Sequence, residues 1–261
     1  MLLGLKLVLV PAIIAAVTLA GRRWGHTIGG LLGGLPLVAG PVLFFLAIEQ
    51  GDDFAARAAH ATLVGIAGVA AFALVYGWMC LRTAVAGSLL VSWIAFGVAT
   101  VVLHAVPWTS GGALGVAVAS FLLARWLLPR TRRWPAPFVA PAWDLPLRIG
   151  VAVAFVLVVT GLAAWLGPRL SGALAPFPVA TAILLGFAHA QQGSAAAARW
   201  LHGFLPAMVS FSLFCFVVAA LTVSHGHLVA FVAALGAQLA VQALVLAMVR
   251  RPGKLSERAW R

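Results

Sequence analysis

The chain is divided into nine apolar runs, and this pattern limits its possible folds more than any other feature. A helix needs about 20 predominantly apolar residues to cross a bilayer core. Runs on that scale cover 2–20, 28–49, 54–80, 84–106, 111–128, 147–167, 172–192, 198–222 and 226–249. Polar or helix-breaking residues separate them, among them Gly21-Arg22-Arg23, Gln50-Gly51-Asp52-Asp53, Pro107-Trp108-Thr109-Ser110 and Gln192-Gly193-Ser194. Only 129–146 is a long loop; rich in Pro and Trp, it reads as an extended segment along a membrane surface, with Asp144 in that loop. Charged residues make up 8% of the chain and apolar ones 64%, against about 25% charged in a soluble domain. A soluble enzyme, a disulfide scaffold and a disordered chain are therefore excluded. Cys80 and Cys215 lie inside apolar runs and read as small buried apolar residues.

The distribution of Lys and Arg tests the count of spans. With nine alternating helices, fourteen of the 17 basic residues fall on one side, and only Lys6, Arg57 and Arg169 on the other. Positive charge is retained on the cytoplasmic side, so the N-terminus is expected outside and the C-terminus inside an inner (plasma) membrane. The net charge of +12 then needs no nucleic-acid partner; the expected partner is the lipid bilayer. Lys6 before the first run and Arg22-Arg23 after it reverse the charge order of a secretory signal, so the run reads as a retained anchor.

The chain also matches itself. At an offset of 142, residues 29–60 lie over 171–202 without a gap, pairing Pro36 with Pro178, Gln50 with Gln192, Gly51 with Gly193, Arg57 with Arg199 and His60 with His202. Five spans separate the two starts, and an odd number inverts the second copy. The fold class expected is all-α and polytopic: nine transmembrane helices as two inverted four-helix repeats, 1–106 and 147–250. A linker helix and cytoplasmic surface loop (107–146) join them, and a basic tail (251–261) follows. The chain thus holds its own pseudo-dimer, and a second copy is not required for the core. Inverted repeats with an axis in the membrane plane mark many secondary transporters.

Candidate site residues follow from the repeat. Gly29, Gly30, Gly33, Gly34 and Pro36 crowd one half of 28–49, and Gly172, Pro176 and Pro178 answer in 172–192. Proline removes a backbone donor and clashes one turn back, so both helices should bend or break. Paired interruptions of this kind point to a binding site between repeats, although the same glycines also serve close helix packing. Gln50, Arg57 and His60, with Gln192, Arg199 and His202, read either as two gates, Arg for an anionic group and His for a proton, or as hairpins with snorkelling arginines. Gly51 and Gly193 read as left-handed helix C-caps. Gln238 and Gln242, at i and i+4, line a polar cavity or bond a neighbouring helix. No Asp, Glu or Lys sits mid-span, and no Walker motif, HExxH, nucleophile elbow or carboxylate pair occurs. Neither catalysis, a cofactor nor a metal is expected.

The stretch Phe177-Pro178 with Gly193, and its copy Leu35-Pro36 with Gly51, resembles a region of the GlpM-type small inner-membrane proteins over about thirty residues per copy. That resemblance implies an association with envelope polysaccharide production. The 4+1+4 plan is also similar to fused fluoride exporters, whose pore uses Asn; this chain contains no Asn, which removes that reading. Two functions remain: a secondary transporter of a small polar or anionic solute by alternating access, or a non-catalytic scaffold or accessory subunit of envelope polysaccharide production.

Cysteine labelling tests the orientation. Thr109→Cys should react with an impermeant maleimide from outside intact cells, and Pro135→Cys only after permeabilisation; reaction of both from one side overturns the topology.

Overall fold

In the computed structural model the described residues are 2–36, 39–129, 141–154, 157–158 and 177–250, and helices are their only regular secondary structure. They form α1 (Leu2–Trp24), α2 (His26–Gly33), α3 (Ala39–Gln50), α4 (Asp52–Met79), α5 (Val85–His104), α6 (Ser110–Leu127), α7 (Val179–Gln192), α8 (Ser194–His225) and α9 (His227–Arg250). Residues 144–154 are also helical. Five of these helices, α4, α5, α6, α8 and α9, are long and apolar enough to cross a membrane. The chain is a multi-pass membrane protein, all-helical in its described residues.

The run 28–49 breaks, as its prolines require. α2 ends at Gly33, α3 begins at Ala39, and Pro36 is buried between them. Pro178 stands at the N-cap of α7, so that helix starts where the proline allows it. Gly172 and Pro176 lie outside the described residues.

The joints at Gly51 and Gly193 depart from the expected left-handed cap. Gly51 has φ 88° and ψ 166°, and Gly193 has φ 80° and ψ −179°, an extended region with positive φ that is essentially reserved for glycine. The hydrogen bonds explain the geometry. The Gly51 N–H closes α3 on the Ala47 carbonyl (3.0 Å), while its own carbonyl accepts from Ala55 N–H (3.2 Å) to open α4. Gly193 does the same between His189 (2.9 Å) and Ala197 (3.4 Å). One residue ends one helix and starts the next. Gly25 and Gly226 form two further joints of this kind.

α4 and α8 form the centre and run antiparallel. Asp52, at the start of α4, meets His227 just beyond the end of α8; at the other end Tyr76 meets His189, just before the start of α8. More than half of the most apolar stretch of each is buried, against under a third in α5, α6 and α9. α5 packs on α4, α9 packs on α8, and α6 packs on both α4 and α8. The inward stripe of α6 is Ala113, Ala117, Phe121 and Ala124; that of α5 is Ser88, Ser92, Phe96 and Thr100. Their outward faces are apolar, with Leu90, Ile94, Val98, Leu122 and Leu123 exposed, as are Val232 and Leu239 of α9. Such surface is a liability in water and a solvent-matched face in lipid.

The glycine joints generate a stability prediction. A Cβ on Gly51 or Gly193 would meet nothing within 4 Å, so the cost of Ala there is backbone strain alone. Gly51→Ala and Gly193→Ala should each destabilise the detergent-solubilised protein by about 1–3 kcal/mol. Gly236→Ala, equally open but inside helix α9, should stabilise it by up to about 1 kcal/mol. Equal effects at all three positions would refute the account.

Candidate functional site

A cavity of about 300 Å³ opens at the end of the molecule where α1 stops and α8 starts. Its walls are Val17, Thr18, Gly21 and Arg22 of α1, Gly25, His26 and Gly29 around the start of α2, Leu184, Ala188 and Gln192 of α7, Arg148, and Trp200 of α8. From Gln192 to Leu184 it runs about 12 Å along α7, at 1.5 Å per residue, from a polar mouth to an apolar floor. Its volume sits at the small end of ligand sites, about 300–1,000 Å³.

A buried ion cluster builds one side of the mouth. Asp144 is fully buried and begins the helical stretch 144–154, so it is not a surface-loop residue as the Pro-rich context suggests. Residues 130–140 of that loop lie outside the described residues. Arg148, one turn on and also buried, donates from Nε to both carboxylate oxygens (3.0 and 3.1 Å). Arg22 of α1 donates to Oδ2 and Gln191 of α7 to Oδ1. Arg148 also donates from Nη2 to Gln191 Oε1 (2.8 Å) and lies 4.6 Å over the Phe187 ring. Three segments remote in sequence are tied together by one carboxylate. Burial alone would raise the Asp144 pKa, but the bonds from Gln191, Arg148 and Arg22 outweigh it and hold the carboxyl below its ordinary range.

The remaining wall is set by close packing. A Cβ on Gly30 would lie 2.0 Å from the Trp200 carbonyl oxygen, and one on Gly203 would lie 1.9 Å from that of Thr27. α2 and α8 therefore touch backbone to backbone. This contact seats the Trp200 ring against Gly29 and Gly33, stacked on Phe204 at 4.9 Å. His26 Nε2 lies 2.8 Å from Gln192 Oε1 across the mouth.

The residues singled out from sequence are distributed as follows. Gln192 lines the cavity. Gly33 faces the Trp200 ring and Gly34 faces Ala207, so both lie in the α2–α8 seam. Pro36 and Pro178 are buried at helix starts and breaks. Gln50 and Arg57 are exposed at the opposite end, and His60 Nδ1 there lies 3.4 Å from Ser110 Oγ. Arg199 and His202 stand in the first turns of α8, where the His202 carbonyl accepts from Arg125 (2.9 Å). The structure does not bring the two Arg/His pairs together. Arg22, His26, Asp144, Arg148, Gln191 and Trp200 were not singled out. The one available signal was the i, i+4 spacing of Asp144 and Arg148, since Asp144 is one of only five acidic residues in the chain.

Compared with known proteins, the chain matches no family model, no curated protein and no solved structure. Functional argument therefore rests on the site itself.

The ion cluster gives a pH prediction. Because the folded-state pKa of Asp144 is depressed, its stabilisation is full above the unfolded carboxylate pKa of about 3.9 and is lost as pH falls through the folded value. Asp144→Asn should cost about 3–5 kcal/mol at pH 7, since it strands the buried Arg148, and the variant's stability should fall less steeply between pH 4 and pH 2. Unfolding in detergent across pH measures both; a wild-type-like acid slope in the variant removes Asp144 from the account.

Proposed function

We propose that the protein is a secondary transporter of a small polar or anionic solute, working by alternating access between inverted repeats 1–106 and 147–250. The cavity carries this reading: a polar mouth leads about 12 Å into apolar helices, toward the middle of a bilayer core about 30 Å thick. In this reading the cavity mouth is cytoplasmic, with the N-terminus outside the inner membrane. The Arg22, Arg82, Arg125 and Arg148 end is then the cytoplasmic one, as the charge distribution requires.

The packing relations support the repeat. α3 on α4 corresponds to α7 on α8, α5 on α4 to α9 on α8, and the linker helix α6 touches both centres. The cavity wall itself has a counterpart in sequence: at the offset of 142, Thr18, Gly25, Arg148 and Gln192 fall on Thr160, Gly167, Lys6 and Gln50. Four wall positions thus keep their chemical character in the other copy, whereas Arg22 and Trp200 fall on Ala164 and Ala58.

Flux into proteoliposomes tests this. A panel of small anionic, neutral and cationic solutes should yield saturable uptake of at least one polar or anionic member, reduced at least about tenfold by Arg148→Gln. Flat flux across the panel with folded protein would overturn transport and leave the scaffold in envelope polysaccharide production as the reading.

A further inference from the structure

We propose that the cavity is a binding site for a small oxyanion, held by the Thr18 hydroxyl, the Arg148 guanidinium and the Trp200 indole N–H, with Arg22 at the mouth. The inference builds on the transport reading, whose solute class it names, but it stands on the chemistry of the wall.

The wall is rich in donors. Arg and the Trp indole can only donate, the residues lining the cavity include no carboxylate, and the Gln192 side-chain oxygen is already within bonding distance of His26. Charge points the same way. Asp144 supplies one negative charge to two arginines, and both of its oxygens are engaged by Arg148, Arg22 and Gln191. The bonds of Arg148 to Asp144 and Gln191 use Nε and one N–H of Nη2, out of the five N–H groups an arginine carries. In the first turn of the eight-residue α2 the His26 N–H, which lacks a helical acceptor, borders the same space, while the Gly25 and Gly29 N–H groups beside it are bonded to the Gly21 and Gly25 carbonyls.

Thr18 supplies the independent observation. Most hydroxyls inside these helices turn back to the carbonyl one turn earlier, as Thr62 does to Ala58, Ser92 to Ser88, Ser212 to Met208 and Thr222 to Val218; Thr18 and Thr100 do not, and of these two only Thr18 lines the cavity. Thr18 is 6% exposed, and its Oγ1 has no hydrogen-bond partner. It lies on the cavity wall instead, and an oxyanion offers the acceptor its proton needs. Val17, Leu184 and Ala188 leave an apolar floor beside it, room for a short apolar group on the anion.

Thermal unfolding of the purified full chain in phosphatidylcholine nanodiscs tests this. Sodium phosphate, sulfate and acetate are titrated at constant ionic strength against sodium chloride. At least one oxyanion should raise the unfolding temperature saturably, while exchange of sodium for potassium should not. Thr18→Val should unfold no earlier than wild type without anion, because it removes an unsatisfied hydroxyl, yet bind about tenfold more weakly. Arg148→Lys should also bind more weakly, and Arg82→Gln, a cation stacked on Trp78 away from the cavity, as tightly as wild type. If phosphatidylglycerol added to the nanodisc produces the shift and displaces soluble phosphate, the site stands and its oxyanion is a lipid headgroup. Absence of any oxyanion-dependent shift with both soluble anions and phosphatidylglycerol, or wild-type affinity in Thr18→Val, overturns the proposal. Saturable binding without flux keeps this site and removes transport, whereas flux without oxyanion binding removes only this site.

Discussion

The backbone contact between α2 and α8 is the constraint on which the rest of the described structure depends. In lipid, helices gain little by hiding apolar side chains from one another, and association rests on close van der Waals packing between small residues. Gly30 of α2 and Gly34 at its C-cap meet Trp200, Phe204 and Ala207 of α8, and Gly203 of α8 meets Thr27 and Leu31 of α2, so that a side chain at any of the three glycines would enter space already filled. The half-helix α2 has only eight residues and cannot hold its place by propensity. Seated on α8, it fixes Trp200 as a wall of the cavity, brings His26 to Gln192 and delivers its Leu31 carbonyl to α9. A larger residue at Gly30 would lift α2 and undo all three.

Most polar groups of the interior obey a second rule, that buried donors and acceptors are satisfied within the protein; Thr18, Thr100 and the Gln238 amide are exceptions. Most helical hydroxyls comply locally by bonding their own helix one turn back, which lets Ser92 and Ser212 be buried in the core. Asp144 complies at long range, through partners 4, 47 and 122 residues away. The local solution adds little to the tertiary structure. The long-range one joins α1, α7 and the 144–154 helix at the cavity mouth, so the same bonds that stabilise the fold also position Arg22 and Arg148 on the cavity wall.

This difference in range explains what could be read from sequence. Hydropathy, proline and glycine act on their own stretch of chain, so the apolar helices, the break at Pro36 and the single-residue joints at Gly51 and Gly193 were legible, apart from the ψ value of the joints. Gly25, paired with Gly167, and Gly226, which falls on Ala84, form the same joint, but neither was read as one. Thr18 looked like any hydroxyl in an apolar helix until its neighbours were known. Trp200 was one aromatic residue among many, and its role comes from Gly29 and Gly33, far away in the chain. The ion cluster was hidden for the same reason: only the Asp144–Arg148 spacing is local, and the surrounding prolines suggested a surface loop.

The break at Pro36 and the amide of Gln242 show how a local rule can require a distant partner. Ending α2 at Gly33 leaves its last carbonyls without helical donors, and inside an apolar body an unpaired carbonyl costs several kcal/mol. The Leu35 N–H turns to the Leu32 carbonyl at 3.1 Å, a tighter turn that passes over Leu31. The Leu31 carbonyl is instead taken by Gln242 Nε2 at 2.8 Å, from a helix that begins nearly two hundred residues later. Gln242 in turn would be a costly buried amide without that carbonyl. Its own oxygen accepts from Ser210 Oγ at 2.7 Å, and that hydroxyl also lies 2.7 Å from the Ala207 carbonyl in the α8 stretch packed on Gly34. Each group is expensive alone and satisfied together. Of the two amides on that face of α9, Gln242 therefore bonds the neighbouring helices α2 and α8, and the proline-broken helix is closed by a side chain that no reading of its own sequence would supply.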